Sequence, residues 1–199
     1  VFDKYKFPNQ GSNYGFMLFE PANGWLTAAQ LNQASDFKAH TGDKYIAALY
    51  RVDAEGYDMA QNNWLYSPEL SGDAQEISFW AKNFKDSEVT HKETFNVLYS
   101  TTDNKRESFN KIGETFSLTS GAWEEIKVQL PAGAKYFAIN HNTATWDNPF
   151  FFMIDDITYS YGAGKVTGYN IYRDGKLIGN VTADVRNFVD KDANLSDTN

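Results

Sequence analysis

The chain has 199 residues, 42% of them hydrophobic and 16% aromatic, enough for the packed core of one sizeable domain, or of one domain plus a fragment. Its 18 basic and 26 acidic residues, a formal net charge of -8, exclude the clustered positive charge that nucleic-acid binding requires and disfavour anionic membranes. The absence of cysteine excludes a disulfide framework, a thiolate metal site and a thiol nucleophile, and no apolar run approaches the roughly 18 residues of a membrane span.

The chain opens with VFDKYKFP, which is not a charged-then-apolar signal sequence, and its starting Val in place of Met suggests a mature or trimmed chain. LTAAQLNQASDF, residues 26–37, spaces its apolar residues too loosely for a helical stripe and reads as a loop with at most one helical turn. Short strand-like runs follow: YIAALY (45–50), EISFWAKN (76–83), ETFNVLYS (93–100), WEEIKVQL (123–130) and KYFAIN (135–140). Each is rich in β-branched or aromatic residues and bounded by Gly, Asn, Asp or Pro. In EISFWAKN, Ile77, Phe79 and Ala81 share a face that meets a core, while Ser78, Trp80 and Lys82 share one that meets solvent or ligand. Ile126, Val128 and Leu130 read as the buried face of WEEIKVQL. Many short strands without alternating helices predict an all-β chain folded as a jelly-roll β-sandwich.

A composition shift after Tyr161 divides the chain into residues 1–161 and 162–199. GAGKVTG reads as a linker, and YNIYRDGKLIGNVT as a β-hairpin whose Asp174-Gly175 pair fits a two-residue type I′ turn. One more strand, Arg186 to Val189, leaves this C-terminal extension with too few strands for a sandwich of its own.

The run FFFMIDDITYS, residues 150–160, poses a problem of charge. Phe150, Phe152 and Ile154 line one face and Phe151 and Met153 the other, so both faces look covered. Strict alternation then sends one of Asp155 and Asp156 inward. A buried carboxylate costs several kcal/mol unless it is partnered. Three partners are open: a basic side chain, a cluster of backbone N–H groups at a bulge, or a hard cation such as Ca²⁺. Alternatively the strand ends at Ile154 and both aspartates are solvated turn residues.

Signatures of catalysis are missing. His40, His91 and His141 lie in unrelated segments without metal-ligand spacing, and each reads as a surface or edge residue. There is no GxSxG elbow and no phosphate-binding glycine loop. Glu124 and Glu125 with Asp155 or Asp156 could in principle supply the carboxylate pair of a glycosidase or lyase, and Glu124 reads instead as a solvated strand start. Aromatic residues in polar loops are the better lead. Trp146 lies in HNTATWDNPFF beside Asp147 and Asn148, Trp25 in EPANGWLTAA, and Tyr57 in DAEGYDMAQNN. An indole flanked by amides and a carboxylate suits stacking on a sugar face, or service as a protein hot spot, and the competing role for each Trp is to plug an end of the sandwich.

NNWLYSPEL, EISFWAKNF, LPAGAKYFAINHN and FFFMIDDI, in that order, with YNIYRDGKLIGN downstream, resemble the cleaved-adhesin or choice-of-anchor J family, known from the haemagglutinin/adhesin domains of gingipain proteases. The likeness covers most of residues 5–160 and continues into a partial fibronectin-III-like hairpin. It implies a jelly-roll sandwich similar to galactose-binding-like domains and carbohydrate-binding modules, carrying structural Ca²⁺ on a secreted or cell-surface bacterial protein. In the family the DDI strand supplies a calcium ligand, which maps onto Asp155, with Asp156 as neighbour or second contributor. Members usually open with an acidic FE strand that VFDKYKFP does not match, so that strand has been removed or Asp3 stands in for it.

The resulting expectation is a non-catalytic extracellular adhesion module, monomeric within a larger protein, that recognises a host surface or matrix protein or a glycan and inserts in no membrane. Its ligand-binding candidates are Trp146, Asp147, Asn148, Trp25 and Tyr57, and its metal candidates Asp155 and Asp156. The alternatives are a carbohydrate-binding module of a polysaccharide-degrading enzyme, a glycan-cleaving enzyme and a structural spacer.

Overall fold

The computed structural model describes residues 15–21, 37–52, 58–85, 91–160, 168–173, 175–182, 185 and 189. The chain forms two compact units, Val1–Tyr161 and Gly162–Asn199. The first contains β1 (Met17–Phe19), β2 (Tyr45–Leu49), β3 (Arg51–Val52), β4 (Asp58–Met59), β5 (Asn63–Tyr66), β6 (Gln75–Asn83), β7 (Glu93–Ser100), β8 (Asn110–Leu118), β9 (Glu124–Leu130), β10 (Tyr136–His141) and β11 (Phe151–Thr158). The second contains β12 (Gly168–Arg173) and β13 (Lys176–Thr182).

Two antiparallel sheets build the first unit, one in the order β1-β2-β11-β6-β9 and the other in the order β5-β10-β7-β8, with β3 and β4 paired separately. From β5 onward the chain crosses between the sheets at every step except β7 to β8, giving the jelly-roll sandwich that the alternation of apolar and polar residues predicts. Ile77, Phe79, Ile126, Val128, Phe152 and Ile154 from the five-stranded sheet meet Phe95, Val97, Phe137 and Ile139 from the four-stranded sheet. A second apolar cluster of Phe19, Phe37, Tyr45, Ala47, Leu49, Phe151 and Met153 coats the opposite face of the five-stranded sheet around β2 and β11. β11 is therefore covered on both faces, and Phe151, Phe152, Met153 and Ile154 are fully buried.

That coating corrects one expectation. Lys82, placed by parity on a face meeting solvent or ligand, is buried, with its ammonium 5.9 Å from the centroid of the Trp123 ring. Its aliphatic stem makes such burial tolerable where an aromatic ring can face the charge. β8 carries no clean alternation because Gly113 adopts φ 64° and the β7–β8 register shifts between Phe95 and Val97.

In the second unit β12 and β13 pair as the expected hairpin, and Gly175 adopts the positive φ of 78° that its turn requires. The segments 26–36 and 186–188, and with them most of the expected loop and strand there, lie outside the described residues.

Phe152 stacks on Phe95 at 5.0 Å and packs edge-on to Phe16 at 5.9 Å. Phe152→Ala is expected to cost about 3–5 kcal/mol of unfolding free energy, measured by denaturant titration, with the transition midpoint falling at unchanged slope.

Candidate functional site

Both aspartates of β11 sit at a bulge. The β11–β6 register pairs Asp155 with Trp80 and then Thr158 with Ser78, so β11 carries one residue more than its partner across this step. Asp156 takes up the extra residue with φ 49°, a left-handed conformation that Asp tolerates better than most side chains. The expectation that one carboxylate must turn inward is thereby overturned: the bulge brings both carboxylates to the same short segment, His40–Thr41. Asp155 Oδ2 accepts the backbone N–H of His40 at 2.9 Å and of Thr41 at 3.2 Å. Asp156 Oδ2 accepts His40 Nδ1–H at 2.6 Å, and its Oδ1 accepts the Thr41 hydroxyl at 2.6 Å. The His40 ring stacks on Trp80 with centroids 3.9 Å apart and planes 15° from parallel. Of the three partners open from the sequence, a basic side chain and backbone N–H groups both serve, the latter coming from His40 and Thr41 across from the bulge and only one, that of Asp156, from the bulge itself.

The fit of a calcium ion can be judged from the same atoms. Asp155, Asp156 and the Thr41 hydroxyl offer oxygens, but each carboxylate oxygen already accepts a hydrogen, Asp155 Oδ1 from the Asp156 N–H at 2.8 Å. Ca²⁺ takes six to eight oxygens, and among the described residues no group of three or more His, Asp and Glu is arranged to hold a metal. The described residues thus supply part of a calcium set. The Tyr45 hydroxyl is buried without a hydrogen-bond partner; desolvation, and secondarily the Asp155 charge, push its ionisation well above the usual phenol range.

The loop between β10 and β11 holds the other predicted group. A 3-10 turn, Thr145–Asp147, ends at Asn148 with φ 52°. Trp146 projects from the turn with 83% of its surface exposed, more than any other aromatic side chain among the described residues, so it does not plug the sandwich. Asp147 is committed to the loop itself: its carboxylate oxygens receive Lys92 Nζ at 3.2 and 3.1 Å, and its carbonyl accepts the Lys92 N–H. The Asn148 carbonyl accepts His91 Nδ1–H at 2.9 Å, leaving the Asn148 side chain exposed beside the indole. Trp25 and Tyr57 lie outside the described residues.

Behind this loop is a polar network that the sequence reading missed. Glu93 is fully buried at the start of β7. Its Oε2 accepts His141 Nε2–H at 2.6 Å and the Thr143 hydroxyl at 2.8 Å, and its Oε1 accepts the Phe150 N–H at 2.8 Å. Asn63 Nδ2 donates to His141 Nδ1 at 3.2 Å, which leaves the imidazole proton on Nε2 facing Glu93. His141, expected at the surface or an edge, is instead buried between Phe16 and Phe152. The signal was present: Glu93 shares parity with Phe95 and Val97, and His141 with Phe137 and Ile139, so both fall on core faces. Glu124 is half-buried at the start of β9 and accepts the Ser120 hydroxyl.

The hydrogen bonds from His40 and Thr41 hold Asp156 below the usual carboxylate range. A depressed carboxylate stabilises the fold above its unfolded pKa, and this contribution is lost as pH falls through the folded value. Asp156→Asn, which keeps a side chain tolerant of the left-handed backbone, is expected to lower stability at pH 7 by less than about 1 kcal/mol. Thermal melts should show the gap to wild type closing as pH drops below about 4, whereas a gap constant from pH 7 to 3 would contradict the pairing.

A family model described as the Cleaved Adhesin Domain matches residues 21–159. Gingipain R1 and Hemagglutinin A of Porphyromonas gingivalis are each 27% identical to the chain over 176 residues. The matches cover 78% of this chain but 10% and 8% of those much longer proteins. Among solved structures, the K1 cleaved adhesin domain of Lys-gingipain from Porphyromonas gingivalis aligns with a TM-score of 0.58 at 19% identity, covering 76% of this chain and 87% of that one. The K2 domain aligns with a TM-score of 0.53 at 20% identity, covering 76% and 85%. These likenesses in fold agree with the two-sheet topology, and the family match spans both β11 aspartates and the Trp146 loop. The chain belongs to the cleaved adhesin family.

Proposed function

We propose that this chain is a non-catalytic extracellular adhesion module of a bacterial surface or secreted protein, and that it engages a host surface or matrix protein or a glycan through the Trp146 loop. The observation that carries the reading is the indole itself: 83% exposed, on a loop fixed at both ends. An exposed aromatic on a rigid support supplies contact area at little conformational cost. Family membership supports an adhesive role, and the resemblance to gingipain adhesins supports an extracellular setting. No described helix is long and apolar enough to cross a membrane.

One observation favours the glycan arm, and with it the carbohydrate-binding-module reading. Lys92 neutralises Asp147, so beside the indole the loop presents the Asn148 amide and no free charge, a surface matched to the C–H face and hydroxyls of a pyranose.

The calcium implied by the resemblance belongs to this proposal as a stabilising ion. Asp155 and Asp156 would hold it, with further oxygens from Thr41, backbone carbonyls and solvent. The convergence of two carboxylates on the His40–Thr41 segment supports it. A site with Kd ~1 mM is expected to raise the melting temperature by ~3–6 °C in ~10 mM Ca²⁺ relative to chelator, and Asp155→Ala should abolish the rise. Identical melts in calcium and chelator would eliminate the ion.

Binding should be screened on an array of glycans printed beside host matrix and plasma proteins. Trp146→Ala is expected to weaken the best signal at least ~30-fold while leaving the melting temperature within ~2 °C. Signals on glycans alone select the carbohydrate-binding reading, signals on proteins alone the protein adhesin, and an array silent for wild type leaves a spacer.

A further inference from the structure

We infer that Glu93 is a positioning residue for the Trp146 loop: one buried carboxylate closes the neck of the loop and holds the indole ready before any ligand arrives. The inference deepens the proposed binding role and rests on it for its functional meaning.

Glu93 accepts hydrogen bonds from both ends of the loop. At the N-terminal end the Thr143 hydroxyl donates at 2.8 Å, and at the C-terminal end the Phe150 N–H donates at 2.8 Å. The span 143–150 therefore closes on a single side chain. Thr143 Oγ1 also accepts the Thr94 N–H at 2.8 Å, and the Asn142 N–H donates to the Thr94 carbonyl at 3.0 Å, tying the same neck to β7. Outside the neck, the adjacent residue Lys92 grips Asp147 through both its side chain and its N–H. Residues 91 to 94 thus bond the loop at Asn142, Thr143, Asp147, Asn148 and Phe150.

The choice of residue carries the argument. A carboxylate with no exposed surface costs several kcal/mol to desolvate, whereas a Val or Leu on this core-facing position would cost nothing of the kind. What the carboxylate supplies is acceptor capacity for donors from His141, Thr143 and Phe150; of these the Thr143 hydroxyl alone has a second acceptor, the Thr94 carbonyl at the longer distance of 3.3 Å. Two of those donors belong to the loop, so the cost of the charge is offset by fixing the loop's ends. His141 in turn is held by Asn63 from the edge strand β5, which anchors the staple in the four-stranded sheet.

Hydrogen exchange read by mass spectrometry tests this on the full chain. Glu93→Gln keeps the size of the side chain but replaces an acceptor oxygen with an NH₂ group that faces a donor. Thr143→Val keeps the shape and deletes the hydroxyl. In each, amides of residues 143–150 are expected to exchange at least ~10-fold faster than in wild type, while amides of β6 and β9 stay within ~2-fold. The double variant should loosen the loop little more than the worse single variant, because both break one network. Unchanged loop exchange, or equal acceleration in the loop and in β6, would overturn the inference, the second outcome marking Glu93 as a general stability residue. Should Glu93→Gln fail to fold, Glu93→Asp, which keeps the charge but draws the acceptor oxygens back by one methylene, decides by the same readout, since Thr143→Val also removes the bonds to Thr94. Binding on the glycan and matrix-protein array separates the two readings. Loop loosening with wild-type binding retained by Trp146→Ala upholds the staple and removes Trp146 as the contact, whereas binding lost in Trp146→Ala with an undisturbed loop in Glu93→Gln does the reverse.

Discussion

A strand buried on both faces has no direction in which to place a charge, and β11 is such a strand. Its apolar run from Phe151 to Ile154 is sealed by the second sheet on one side and by the Phe19–Phe37–Tyr45 cluster on the other. Acidic residues can follow this run only if the backbone stops alternating. The bulge at Asp156 does so by inserting one residue, after which Ile157 and Tyr159 pack against the inter-sheet core again. The left-handed backbone at Asp156, the arrival of His40–Thr41 to cap both carboxylates and the stacking of His40 on Trp80 all follow from that one insertion.

The same strand needs a polar anchor where it begins. Phe150, immediately before β11, gives its N–H to Glu93, and from there Glu93 reaches His141 and Thr143. β11 is thus a greasy rod held by carboxylates at both ends, one on β7 of the facing sheet and one pair of its own. At the start of the rod the anchor is internal and supports an exposed loop; at its end the anchor is half-exposed and forms a candidate cation site. The two candidate sites of the domain are consequences of how a two-faced apolar strand enters and leaves the core.

The strands were legible because half-buried strands write their faces into the sequence: Ile77, Phe79 and Ala81 in β6 and Ile126, Val128 and Leu130 in β9 are buried as their period demands. The hairpin of β12 and β13 was equally plain from its Asp-Gly turn. The candidate site was legible only in part. Trp146 stood out because a large aromatic in an Asn/Thr-rich loop is anomalous composition. Glu93 and His141 were passed over, since a polar residue on a core-facing parity is easily taken for a strand end, and their partnership spans 48 positions of chain that no local pattern connects. The bulge was equally hidden. Parity arguments presume an unbroken register, and Asp156 is where the register breaks.

An exposed indole is itself unstable in position, because collapse onto nearby apolar surface would gain roughly 25 cal/mol for each Å² buried, several kcal/mol for a side chain of this size. A target for collapse exists at the base of the loop, where Phe150 stacks on Tyr50 at 5.9 Å and packs on Phe84 at 4.9 Å and His91 at 5.1 Å. What holds the 3-10 turn upright is the set of bonds from residues 91–94, each worth a net ~0.5–1.5 kcal/mol and together of the same order as the collapse they oppose. Glu93 is the member of that set shielded from water, so its bonds are the ones least weakened by competition with solvent or by salt. A loop balanced in this way keeps a costly aromatic surface in water, and that surface recovers its hydrophobic free energy only when a partner covers it.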